Sequence, residues 1–179
     1  MIRARSQVTT LLKLTLVCAC AAMAILWPTW RVALLAQSYY QELGRMTGGG
    51  NCTTAAGVKV THGFELHCDA SGSNNLEVNW QDQTGSHRFH LDELETAICP
   101  ADSRDIEEQP VAGFNTFIGS GTGTFDGSTA AVATWVFSDQ GEPGKDNDGL
   151  VITIVTPSGP VLSVVCTLDG GNHQAHPEQ

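Results

Sequence analysis

The sequence predicts an all-β fold: an antiparallel β-sandwich or small barrel of about seven to eight strands, preceded by an N-terminal signal or anchor helix. Three observations carry this. Beyond residue 46 no segment holds a helical apolar stripe, except for one helical turn's worth of pattern over residues 91–97. Apolar residues instead alternate with polar ones, which is the two-residue period of a half-buried strand. Clusters of Gly, Asn, Asp and Ser separate these runs over ~120 residues, the spacing of a small all-β domain. The boundaries are residues 1–36 for a signal peptide or membrane anchor, 37–47 for a lead-in, 48–172 for the β domain and 173–179 for a loose C-terminal tail.

The first segment is an address. Arg3, Arg5 and Lys13 lead into an uncharged apolar run over residues 14–27, closed by Pro28. A basic start followed by such a run describes a secretory signal. Ala24 and Ala36 are the two candidate cleavage positions. The alternative is an uncleaved span over residues 14–36, long enough to cross a bilayer and interrupted only by Pro28 and Arg31. A lipoprotein cysteine at Cys18 or Cys20 has too little apolar sequence before it. The cleaved signal is the preferred reading, and basic residues on the amino side place the remainder outside in each case.

The strands follow in order. Val58, Val60, His62, Phe64, Leu66 and Cys68 share one face of an extended segment, with Lys59, Thr61, Glu65 and His67 on the other. A turn cluster precedes the alternating residues 76–80, and residues 81–85 close a hairpin onto residues 87–91. An acidic, polar stretch over 100–110 reads as an exposed loop. Residues 114–125 carry Gly119, Gly121 and Gly123 at alternate positions, which leaves one strand face bare for close approach. Asp126-Gly127 is a turn signal, after which Ala131, Ala133, Trp135 and Phe137 line one face. Residues 149–155 and 161–168, joined through Pro157-Ser-Gly-Pro160, form the clearest hairpin. The run Gly48-Gly-Gly50 is either a flexible joint or part of a first strand.

Charge narrows the function classes. The chain carries 9 Lys and Arg against 19 Asp and Glu, a formal net charge of −10. Four of the basic residues and none of the acidic ones precede residue 37, so the exported part is more acidic still. Such a surface disfavours nucleic acid, whose recognition needs cationic side chains. No phosphate-binding loop, dinucleotide fingerprint or kinase motif set is present. Cys52, Cys68, Cys99 and Cys166 lie beyond the leader, an even number that suggests two disulfides in an exported domain. Spacing leaves all three pairings open, and no Cys-x-x-Cys argues for zinc.

Several motifs in fixed order resemble a known family. They are Met46-Thr-Gly-Gly-Gly50, Thr61-His-Gly-Phe-Glu-Leu-His-Cys-Asp69, Asn74-Asn-Leu-Glu-Val-Asn-Trp80 and Arg88-Phe-His-Leu91, then Gly119-Ser-Gly-Thr-Gly123, Thr134-Trp-Val-Phe-Ser-Asp-Gln-Gly-Glu-Pro-Gly144 and Gly171-Asn-His-Gln-Ala-His176. Together they span residues 45–176 and resemble the small exported bacterial module called the post-COAP domain, which has no assigned activity and usually sits at the carboxyl end of larger secreted proteins. The resemblance implies a Cys68–Cys99 disulfide, with Cys52 and Cys166 as an additional pair. It speaks to location and modularity, not to chemistry.

Three candidate sites stand beside plainer readings. Asp139, Glu142, Asp146 and Asp148 lie in one Gly-rich stretch and offer the oxygen ligands calcium needs, though the twelve-residue hand pattern is missing. Their plainer role is to solvate a turn. His62, His67, His173 and His176 are an alternative metal set. His62 and His67 are an odd number apart, so one strand points them to opposite sides, and His62 reads better as a core histidine. His173 and His176 equally suit sealing the last strand. Glu65, His67, Asp69 and Glu77 are the nearest approach to acid–base pairs, without a nucleophile elbow or a His-Glu-x-x-His motif. Trp80, Phe89, Trp135 and Phe137 sit at strand spacing and read as core. The expectation is a non-catalytic exported or cell-surface β module with a binding or structural role toward an extracellular ligand or surface component, touching membrane only through its N-terminal segment. The alternatives are a metal-dependent secreted enzyme acting on wall polymers and a structural spacer.

Overall fold

The computed structural model describes residues 44–70, 72–100 and 112–177. The expected leader over 1–36, most of the lead-in and most of the acidic stretch over 100–110 lie outside the described residues. Nine antiparallel strands follow one another: β1 Gly44–Thr53, β2 Lys59–His67, β3 Asn75–Asp82, β4 Gly85–Ile98, β5 Thr116–Phe125, β6 Thr129–Ser138, β7 Gly149–Thr156, β8 Gly159–Thr167 and β9 Gly170–Pro177. They form one continuous sheet in the order β8-β7-β6-β5-β4-β3-β2-β1-β9, curled into a half-barrel. The described residues contain no helix, so none is long and apolar enough to cross a membrane.

Alternation builds the sheet. β2 follows the burial pattern exposed–buried along its length, with Val60, His62, Phe64 and Leu66 inward. β6 does the same with Ala131, Ala133, Trp135 and Phe137. The curl turns these faces toward each other, so a single sheet encloses its own core, with Trp80 and Phe89 also inside. The glycines of β5 make room for it. A Cβ on Gly119 would stand 2.7 Å from the Trp135 ring, and one on Gly123 would overlap the His90 carbonyl oxygen. Bare positions on β5 therefore let large rings of β4 and β6 lie flat across it.

Three expectations are corrected. The strand count is nine rather than seven or eight, because Gly48-Gly-Gly50 belongs to β1 and the C-terminal residues form β9. Residues 173–177 are not a loose tail: they pair with β1 in the register Gly48↔His173 to Gly44↔Pro177. Residues 91–97 are not a helical turn but the middle of β4, where register shifts between Leu91 and Glu93 and between Leu94 and Thr96 break the alternation.

Two disulfides staple the sheet. Cys68–Cys99 ties the chain just beyond β2 to the chain just beyond β4. Cys52–Cys166 joins β1 to β8, strands seven places apart in the sheet order, so it closes the curl covalently. The pairing is the one the family resemblance implied. Disulfides of this kind fit an oxidising compartment.

Candidate functional site

The free side of β9 meets the loop between β6 and β7, and the candidate residues gather at this seam. The backbone N–H of His173 donates to Asp148 Oδ2 (2.6 Å) and that of Ala175 donates to Asp139 Oδ2 (2.9 Å). The remaining carboxylate oxygens hold the loop itself: Asp148 Oδ1 accepts the Gln140 N–H (2.9 Å) and Asp139 Oδ1 accepts the Gly141 N–H (3.2 Å). Two aspartates thus take the place of a neighbouring strand for the last one in the sheet. Burial pushes the Asp148 carboxyl up to about 6, against its two backbone N–H bonds, and Asp139 and Glu142 add to the rise.

Glu142 Oε1 accepts from Asn172 Nδ2 (2.7 Å), whereas Asp146 points to solvent beside Lys145 at 3.8 Å. Gly144 is sterically required: a Cβ there would collide with Asp148 Oδ2 and Asn172 Oδ1. The structure thus draws three of the four proposed calcium ligands to one seam and leaves Asp146 outside it. Among the described residues, no group of three or more His, Cys, Asp or Glu side chains is placed to hold a metal ion.

His62 and His173 are brought together behind this seam, on β2 and β9. Their Nε2 atoms lie 2.7 Å apart, and His173 Nδ1 lies 3.1 Å from the Ser138 carbonyl oxygen. A carbonyl only accepts, so His173 carries its proton on Nδ1 and its Nε2 receives the proton of His62 Nε2. His62 Nδ1 is then a buried lone pair with no partner among the described residues. Phe64 and Phe137 flank the pair, their centroids 5.9 and 5.7 Å from the His62 ring. Burial lowers His62 to about 3, helped by His173 beside it, and burial lowers His173 to about 4. Both rings are therefore neutral at pH 7.

The other two histidines of the set lie elsewhere. His67 meets Asn74 Oδ1 through its backbone N–H (2.8 Å), and His176 Nε2 sits 2.8 Å from Thr47 Oγ1. The proposed acid–base residues are dispersed as well. Glu77 pairs with Arg88 at 2.5 Å and accepts from Asn79 (3.1 Å), and Glu65 faces Arg45 at 3.7 Å.

One cluster escapes the sequence. At the β3–β4 turn, Thr84 Oγ1 lies 2.6 Å from Asp82 Oδ1 and 2.7 Å from His87 Nε2, while His87 Nδ1 lies 2.9 Å from Asp126 Oδ2. The hydrogen bond to Asp126 leads the forces that raise the His87 pKa, with burial opposing. An imidazolium donating to both sides, with Thr84 donating onward to Asp82, satisfies every group. This is a polar clamp between two turns rather than a nucleophile awaiting a base. The visible signals were the Asp82-x-Thr84 turn and Asp126-Gly127; their meeting across 39 residues had none.

The outer surface divides in two. Strands β5 to β8 contain no Asp, Glu, Lys, Arg or His at all. On their outer face Ile98, Ile118, Val136, Val151 and Val165 stand opposite one another in register across five strands. Four of them are exposed, Val165 by 77%. A parallel row of hydroxyls runs beside them through Thr96, Ser120, Thr134, Thr153 and Ser163. An open groove of about 600 Å³ lies at one end of this face, bordered by Thr122, Ala130, Val132 and Val155, with Asp92 of β4 at its margin. The charged residues of the sheet lie on β1 to β4.

Comparison with known proteins finds no family model, no curated protein and no solved structure that matches this chain.

Proposed function

We propose that the chain is an exported, non-catalytic β module of the post-COAP type that works by contact, its N-terminal segment serving as a signal or anchor and its contact surface being the uncharged half of the sheet. The carrying observation is the charge-free exterior of β5 to β8 in a chain of net charge −10. Charged side chains are the cheapest way to keep a sheet face solvated, and contiguous exposed apolar rows mark interaction surfaces. The export reading is supported by the basic–apolar leader and by two disulfides, which persist where thiols are oxidised. The seam aspartates and the histidine pair hold strands together, a use that accounts for their hydrogen bonds without chemistry.

Fractionation and envelope sedimentation test this reading. The chain is expected outside the cytoplasm with no free thiol beyond residue 36. It is expected to pellet with isolated envelope and to do so undiminished in high salt, because an uncharged contact is not screened. Val132→Lys combined with Val151→Lys, at positions 45% and 38% exposed, should release it while leaving the melting curve nearly in place. A cytosolic chain, or variant and parent pelleting alike, refutes the proposal.

A further inference from the structure

The sheet has two edges, and they are finished differently. On β9 the outward N–H groups of His173 and Ala175 are covered by Asp148 and Asp139. β8 pairs only with β7, and among the described residues no backbone hydrogen bond from outside that ladder reaches residues 161–165. Natural sheets blunt an edge with lysine, proline, a bulge or an inward charge. Between Val161 and Thr167 β8 has none of these; its proline and its single register shift lie at the strand's start.

A groove of about 420 Å³ runs along this bare edge. Residues 161–165 form one wall, the turn residues Ala55 and Ala56 the other, and Trp80 and Asp82 also line it. The groove has a definite end. Cys52 and Cys166 have Cα atoms 6.3 Å apart. Placing a strand between two others needs about 9.6 Å, twice the inter-strand spacing. Beyond Val165 the edge is therefore shut, and what remains open is the length of about five extended residues, roughly 16 Å.

We propose that the β8 edge is a strand-addition site that takes an extended, uncharged segment of about five residues from a partner protein; this rests on the reading of the domain as a contact module. Alternating N–H and C=O groups without partners are matched by another polypeptide backbone, and by little else. The lining selects an uncharged segment, since a charge placed against Val161, Val164 and Trp80 would lose its hydration without a counter-ion. Asp82 is the charged residue of the lining and the chain is strongly acidic, so acidic segments are further disfavoured. A second copy fits less well, because it would bring a net charge of −10 against −10. The added strand would extend the uncharged outer face by one more row.

Amide hydrogen exchange on the full chain tests the site, with a pool of end-capped pentapeptides of Val, Thr, Ser and Ile as probe at roughly millimolar concentration. The expected result is at least about tenfold slower exchange over residues 161–165, where opening sets the rate, with residues 171–176 unchanged. The same pool with every backbone nitrogen methylated should give no slowing. Ala56→Trp, or Ala55→Trp should the first melt early, fills the groove and should abolish the effect with the melting temperature retained. No slowing with the plain pool overturns the proposal, as does slowing that survives methylation or groove filling. Protection in the chain alone that grows with protein concentration assigns the edge to a second copy instead. Protection lost on cutting away residues 1–36 assigns it to the chain's own leader. Each outcome is independent of where the protein fractionates, so failure here leaves the export reading standing.

Discussion

Acidification should destabilise this protein through two buried histidines. His62 and His173 are 7% and 0% exposed, and their folded pKa values of about 3 and about 4 lie far below the 6.5 of an unfolded chain. The unfolded chain takes up protons as pH falls through 6.5 while the fold refuses them, so stability falls with pH over that window. Each pH step of one below 6.5 costs about 1.36 kcal/mol per ring, so at pH 4.5 each ring has cost about 2.5 kcal/mol relative to pH 7.5. Asp148 acts in the opposite sense. Its folded pKa of about 6 exceeds the 3.8 of a free side chain, so the fold takes up the proton first. Between pH 6 and 4.5 it returns about 2 kcal/mol. The net loss from these three groups is about 3 kcal/mol, a large fraction of the stability of a domain this size. Urea titrations at pH 7.5 and 4.5, read by tryptophan fluorescence, measure it. The double variant His62→Leu, His173→Leu starts lower but should gain stability over the same interval, because Asp148, worth about 2 kcal/mol, and His87 both hold their protons more tightly in the fold. A parent whose stability is flat over the interval, or a variant that falls in parallel with it, would refute the neutral-pair reasoning.

Three other outcomes follow from the geometry. Cys52→Ser with Cys166→Ser opens a loop of 114 residues and should lower stability by about 5 kcal/mol, against about 4 for the 31-residue Cys68–Cys99 loop, both measured by denaturant midpoint. Asp139→Ala strips the acceptor from Ala175 N–H; a cost of about 1–3 kcal/mol and faster exchange of that amide are expected, and unchanged exchange would show that the carboxylate does not close the edge. His87→Gln removes a base whose folded pKa is raised, so the loss should be full below pH 6.5 and shrink as pH rises through the folded value; calorimetry at pH 6 and 8 shows whether it does.

The parts of the fold visible in the sequence are those where one strand's burial decides its own pattern. β2, β6 and the β7–β8 hairpin alternate cleanly because each has one face in the core. β9 was invisible for the opposite reason. Its sequence GGNHQAHP has scarcely an apolar residue, and it is a strand because the glycines of β1 let its backbone approach and two distant aspartates cap its far side. β4 hides its middle because its two register shifts move side chains out of phase. At the seam, the odd spacing of His62 and His67 separated them correctly, yet nothing local pairs His62 with a residue 111 positions away. The same limit applies to the calcium-like stretch. Composition identifies four carboxylates in one loop, but whether they face an ion or a strand's amides depends on what lies across the seam.

The pairing of Gly44 with Pro177 places the chain's arrival and departure points side by side on neighbouring strands. A pull between those two points would load β1 and β9 in peeling geometry, breaking their ladder one rung at a time rather than all together. The tear would run inward past His173 until it reached the covalent bond from Cys52 to Cys166, four residues before β9 begins. That bond lies where a rip-stop stitch would be sewn: it lets the outermost strand be stripped under tension while the rest of the sheet keeps its shape.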